Sequence, residues 1–374
     1  VEGQKGEKRS LLGWVEERVN LTEIVSFLSV FGLLPTQLDP RKPLREAMRE
    51  AMLQPLPSYA RWPRVLGILA FILFLVLGLT GTLLAFYYQP TAGDAYASVT
   101  SIARDVSFGY LINQIHRWAA ILFLVILALR IVRFFFGGLY GRSREIIWMA
   151  AVVSFVVATF ADLSGRLLPW DARGYWATVR AREVTDALPF LGPLLTFLVG
   201  GTTLDSFVLT RVYVMHIVVF PVLLLTLFYV HFSSVRRVGM SRVDAPPASR
   251  SFRVALYDVT LLILFLVGAL LTLAVLLPHS FDVAADPLAT PPDARPPWYL
   301  LAPHALVQLF PSIVPVFVRG LFVEAIAVFV LLLPFLDRTG GMGPNRRRYV
   351  ILGVAACAVW VILTASGWYM EVRR

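Results

Sequence analysis

Cysteine is almost missing from this chain: Cys357 is the single one in 374 residues. One cysteine excludes an intrachain disulfide, a zinc site with several Cys ligands and a CxxCH haem attachment. Charge is scarce too, at 16% of residues against roughly a quarter in a typical soluble domain. Histidine occurs at only five positions, and neither an internal repeat nor a low-complexity tract is present. Charged residues interrupt every short apolar run at the start, which predicts no cleavable signal peptide. What the chain has in excess is apolar surface, 57% of its residues. That excludes a disordered chain and an ordinary soluble globule.

The apolar residues fall into seven runs, at 64–87, 109–136, 145–168, 206–232, 255–278, 314–336 and 349–370. Each is long enough to cross a hydrocarbon layer ~30 Å thick as a helix. The sequence therefore predicts an all-α membrane protein with seven transmembrane helices. Its regions read as a charged, partly amphipathic arm (1–63), a four-helix part (64–250) and a three-helix part (251–374). The arm holds Val15 and Val19 around Glu16, Glu17 and Arg18, a pattern suited to lying on a membrane surface. A short charged helix between proline breaks is expected around Arg45–Glu50. Residues 169–205 are too apolar for a free loop and are expected to pack at the membrane surface.

The formal charge of +10 reports topology, and nucleic acid is not an expected partner. With alternating sides, the N-terminal arm and the connections on its side carry 22 of the 34 Lys and Arg. The positive-inside rule then places the N-terminus in the cytoplasm and, after seven spans, the C-terminus outside. "Outer" below means the side opposite the N-terminal arm.

Three of the five histidines, His116, His216 and His231, lie within spans, where an ionisable residue is a functional hypothesis by default. His216 and His231 are ~22 Å apart along one helix and within ~60° of one face. His116 and His216 both lie near outer ends and can meet across a bundle. Two facing imidazoles suit an axially ligated b-type haem, and they suit interhelical hydrogen bonding as well. Zinc would need further ligands that no nearby Cys or Glu supplies. Gly67 and Gly81 share a face of the first span at the two histidine levels, and Gly165 adds a third small position. Glycine there admits a flat group, or simply close helix packing. Arg117 and Arg133 suit haem propionates, and Arg133 equally suits an interfacial anchor.

Several motifs resemble the cytochrome b subunit of quinol-oxidising cytochrome bc complexes, in its chloroplast and cyanobacterial form with the two pieces fused. These are residues 13–18 (GWVEER), 86–99 (FYYQPTAGDAYASV), His116-Arg117-Trp118, and Leu168-Pro169-Trp170-Asp171 with Gly174-Tyr175-Trp176. They continue with Thr210-Arg211 before His216 and His231, Asp286-Pro287 through Ala289-Thr290, Pro296-Pro297-Trp298-Tyr299, and Pro334 through Arg338. The resemblance covers nearly everything from residue 11 onward. It implies a bundle holding two stacked b haems, with His116 and His216 on the outer iron, His231 on the inner, and Arg211 among the cofactor-binding positions. It further implies a quinol-oxidising pocket near Tyr299, with quinone and quinol as substrate. A Rieske iron–sulfur protein, a c-type cytochrome and membrane lipid are the implied partners, in a homodimer within an energy-transducing membrane of bacterial inner-membrane type.

The chain departs from that pattern at three places. The second inner ligand should stand fourteen residues after His116, where this chain has Arg130, and arginine has no lone pair for iron. The inner haem is then lost, or held by His231 alone. A charged residue at helix centre costs ~2.5–3.5 kcal/mol on insertion scales, so Arg130 is expected to pair with Asp258 or to snorkel inward beside Arg133. Val65 stands where chloroplast-type relatives attach a further haem through cysteine. Pro297 replaces a glutamate that accepts a quinol proton in the family. His304 is then either the replacement base or a surface histidine.

Overall fold

The computed structural model describes residues 15–16, 18–31, 33–34, 37–53, 55–56, 65–141, 143–199, 201, 203–238, 250–337 and 346–372. Gly13, Trp14, Glu17 and Arg338, part of the motifs above, lie outside them. Seven described helices are long and apolar enough to span a membrane. They are α3 (Val65–Ala85), α5 (Gly109–Gly137), α6 (Glu145–Leu167), α9 (Ser206–Val238), α10 (Phe252–Leu276), α12 (Val316–Leu336) and α13 (Arg346–Val372). The chain is thus a membrane protein whose described residues are nearly all helical, as its apolar runs predict. The added detail is a two-residue antiparallel pair, β1 (Pro55–Leu56) with β2 (Arg250–Ser251), which ties the arm to the start of α10.

Shorter helices occupy the connections. The arm contains α1 (Leu21–Val30) and α2 (Leu44–Leu53), the latter being the expected charged helix. α4 (Ala95–Asp105) follows α3. Residues 169–205 fold as α7 (Ala172–Ala187) and α8 (Leu191–Val199), and the link after α10 carries α11 (Leu301–Leu309). α7 starts after Asp171, whose carboxylate accepts the Gly174 N–H at 2.8 Å, an N-cap that satisfies an otherwise orphaned donor.

α3 packs on α5, α5 on α6, and α6 on α9, forming the four-helix bundle. Two later spans lean on this bundle, α10 on α5 and α3 and α12 on α6, while α13 packs mainly on α11. Their outward side chains are large and apolar, as a hydrocarbon surrounding requires; Phe265 and Phe329 are exposed. On the outer side the two long linkers are joined by backbone bonds, Ala172 N–H to Val283 O (2.8 Å) and Ala285 N–H to Trp170 O (3.0 Å). The backbone of α9 contains one π turn, Met215–Val219, and His216 lies in it. Such turns widen a helix locally and often mark functional positions.

Candidate functional site

The outer half of the bundle brings His116 and His216 together. Their ring centroids are 6.3 Å apart, with planes inclined at 66°. Each ring is held from behind through Nδ1. His116 Nδ1 is 2.8 Å from Thr80 Oγ1, whose hydroxyl donates to Val76 O at 2.6 Å, so the oxygen accepts from the ring. His216 Nδ1 donates to Ala161 O at 2.9 Å, and Ser164 Oγ lies 3.0 Å away. Both Nδ1 atoms then carry the proton, and each Nε2 keeps its lone pair. Two glycines allow the rings to sit there. A Cβ on Gly81 would be 3.1 Å from His116 Cε1, and one on Gly165 only 2.7 Å from His216 Cε1.

Arg117 lies over the Phe281 ring at 5.1 Å, whereas Arg211 is exposed on α9. Gln114, fully buried, donates to His279 O (2.9 Å) and accepts the His279 N–H (2.7 Å), locking α5 to the end of α10. Burial first, then the charges of Arg117, Arg166 and Arg173, lower the His279 imidazole to about 4. Tyr299 is 3% exposed and donates its hydroxyl to Asp162 at 2.9 Å; Arg166 grips the same carboxylate at 2.5 Å. Burial and the Asp162 charge push the Tyr299 hydroxyl well above the usual phenol range. His304 is not a surface residue: it is 1% exposed, on α11 where that helix packs against α7, α12 and α13.

The inner level is built differently. His231 is 3% exposed and donates from Nδ1 to Ile147 O at 3.0 Å. Its Nε2 accepts from Arg130 Nη2 at 2.5 Å. The expected Asp258 pairing is therefore corrected. Asp258 is exposed on α10, whereas Arg130 is 3% exposed and meets an imidazole and two rings, Phe134 and Phe232, each 5.8 Å from its guanidinium carbon. A neutral imidazole lone pair and two aromatic faces are the acceptors available inside the bundle, so the cation does not snorkel. Phe134 also stacks on His231, at 5.7 Å and 16°. Opposite Gly67 the space is taken: a Cβ there would be 3.4 Å from Phe232 and 3.9 Å from Arg130 Nη2. Phe31 from the arm stacks flat on Phe71 at 4.2 Å and closes the same cluster from below. Arg133, one turn on, is half-buried.

Sequence reasoning missed Thr80 and Ser164, the supports of the outer rings, and the Asp162 carboxylate that Tyr299 and Arg166 share. A hydroxyl on the face of a neighbouring span at the histidine level was the available signal for the first two. The Arg130–His231 bond was foreshadowed by their equal depth.

Comparison with known proteins bears on the family and the fold. The family Cytochrome b/b6/petB matches residues 53–239, and Cytochrome b(C-terminal)/b6/petD matches residues 284–371. Cytochrome b6 of Tupiella akineta is 39% identical over 177 residues, which are 47% of this chain and 82% of the relative. That of Chlamydomonas reinhardtii is 38% identical over the same length and coverage. A solved chain titled "Hyperthermophilic respiratory Complex III" superposes with a TM-score of 0.72 at 24% identity, covering 97% of this chain and all of that one, a likeness of fold. The chain belongs to the cytochrome b/b6 family.

Proposed function

We propose that this chain is the quinol-oxidising b-type cytochrome subunit of a bc-type complex, with one haem b held between His116 and His216. The facing imidazoles carry the proposal. Metal–imidazole bonds of ~2 Å place two axial rings ~6 Å apart between centroids, close to the observed 6.3 Å. Thr80, Ser164 and Ala161 O engage each Nδ1 and so leave each Nε2 lone pair available, the second-layer support that metal-binding histidines generally need. Gly81 and Gly165 clear the ring faces, and Arg117 and Arg211 are the cations for propionates. Bound there, haem b supplies reversible one-electron transfer.

The residues at the inner level do not fit such a group. Arg130 offers no lone pair, and it occupies the one on His231 that iron would need. Phe232 fills the space beside Gly67. Arg133 is then an interfacial anchor. This arrangement also favours a second reading, a haem-bearing anchor for another oxidoreductase working without a full Q cycle. In the leading reading residues 64–250 hold the haem and 251–374 help form the quinol site, where Tyr299 and His304 belong. A Rieske iron–sulfur protein and a c-type cytochrome take electrons onward, the complex is dimeric in lipid, and the N-terminus is cytoplasmic.

Pyridine haemochrome analysis of the purified chain is expected to give one b haem per polypeptide, titrating as a single redox component. His116→Ala and His216→Ala are each expected to abolish it, while His231→Ala leaves it. Two haems of separate potential would overturn the one-haem assignment, and none would overturn the haem function. A Rieske protein that purifies with the chain selects the bc-type reading over the anchor.

A further inference from the structure

Glu324 lies eight residues into α12, about 12 Å from the start of that helix. One turn earlier, Gly320 lets α12 touch the connection between α7 and α8: a Cβ there would stand 1.7 Å from Ala187 O and 3.0 Å from Leu188 N. The contact carries the Glu324 carboxylate to the first residues of α8. Its Oε1 accepts the backbone N–H groups of Leu191 (2.7 Å) and Phe190 (3.2 Å). Its Oε2 is buried and has no hydrogen-bond partner among the described residues. A buried acceptor left unpaired is costly, more so when charged, and native proteins seldom keep one without a use.

We propose that Glu324 Oε2 receives the hydroxyl of a bound hydroquinone and takes up its proton, an inference that rests on the quinol-oxidation reading above. The free oxygen can only accept, so its natural complement is a neutral O–H donor. A metal ion is a poor alternative, because no group of three His, Cys, Asp or Glu that could hold one occurs among the described residues. The surroundings suit a lipid-soluble donor: Phe190, whose N–H Glu324 accepts, and Leu194 and Phe197 of α8 are apolar and exposed. Asp162 is less suited, since Arg166 and Tyr299 already engage it. In the step, one hydroquinone O–H bond breaks and its proton passes to Oε2 to give the neutral acid, while one electron would leave to an acceptor of the proposed complex; loss of the second O–H proton to water and of the second electron to a further acceptor completes the quinone.

The haem-loaded full chain is assayed with two kinds of probe. One is decylubiquinol or a short-chain menaquinol as reductant. The other is a redox-inert alkylresorcinol, compared with its dimethyl ether. A hydrogen bond to a charged acceptor is expected to favour the resorcinol about tenfold over the ether. Glu324→Gln keeps an amide oxygen for the two backbone N–H groups and removes the base. It is expected to retain full haem, lower quinol oxidation at saturation at least tenfold and erase the resorcinol preference. Turnover within twofold of the parent would overturn the proposal. Equal affinity of the unmodified protein for resorcinol and ether would overturn it as well, with no variant required. If the unmodified haem protein accepts no electrons from any quinol, the quinol reading itself falls and takes this inference with it.

Discussion

A methyl group added at Gly165 and one added at Gly67 should have opposite consequences. At Gly165 the new Cβ would approach His216 Cε1 to 2.7 Å, closer than real Cβ atoms come, and the ring cannot retreat because Ala161 O and Ser164 hold its Nδ1. Gly165→Ala is expected to lower haem content several-fold or shift its redox midpoint, read by haemochrome and potentiometric titration. At Gly67 the nearest atom is a Phe232 ring carbon at 3.4 Å, an ordinary contact. Gly67→Ala is expected to leave haem untouched and to stabilise α3 by up to ~1 kcal/mol, the helix-propensity gain. Equal damage at both positions would show that a flat group occupies the inner level too. Sequence spacing singled out Gly67 together with Gly81, added Gly165 as a third small position, and gave all of them one role. It could not separate them, because the difference lies in which side chain from α9 points across, an imidazole at one level and a phenyl ring at the other. Arg130 was legible as an anomaly, but its partner was not. Depth along a helix suggested Asp258; rotation about the helix axis, which sequence fixes poorly, selects His231.

At the scale of elements, the arm contributes to the bundle and does more than rest on a surface. Phe31 is 2% exposed and stacked on Phe71, and Arg236 of α9 bonds to Ser29 O. Removing the ring should leave a cavity costing about 3 kcal/mol or more. Phe31→Ala is therefore expected to loosen α1, to speed proteolytic cleavage in the arm and to lower the unfolding midpoint in detergent, with outer haem content unchanged. An arm as resistant as the parent's would sink this view. The seven spans were legible because hydrocarbon thickness imposes a length and a composition that any spanning helix must meet. Helices α7, α8 and α11 were not, since segments such as 172–187 mix Arg, Glu and Thr with apolar residues and carry no single period. What organises them is tertiary: the Asp171 cap, the backbone bonds between the two outer linkers and the Gly320 contact.

For the molecule as a whole, the two ends of the bundle differ in what can pass between them. His116 and Arg130 are fourteen residues apart on α5, ~21 Å by helix rise. The interval is packed with phenyl rings, Phe71, Phe74, Phe123 and Phe228, at centroid spacings of 5.5 to 6.5 Å. Phenyl rings in a core offer no redox centre, and a gap of this length without one is too long for fast electron transfer. On the proposed one-haem reading, electrons delivered at the outer level then have no quick route to a quinone at the inner surface. A Q cycle recovers one electron of each hydroquinone at an inner site, which doubles the protons released outside per electron passed on. Without that recovery each hydroquinone gives two protons with two electrons. The purified complex, reconstituted in vesicles with quinol and its terminal acceptor, is accordingly expected to release about one proton per electron delivered, the stoichiometry of the hydroquinone chemistry alone. A ratio near two would mean that electrons cross the phenylalanine-filled interval, and the linear path would have to be abandoned.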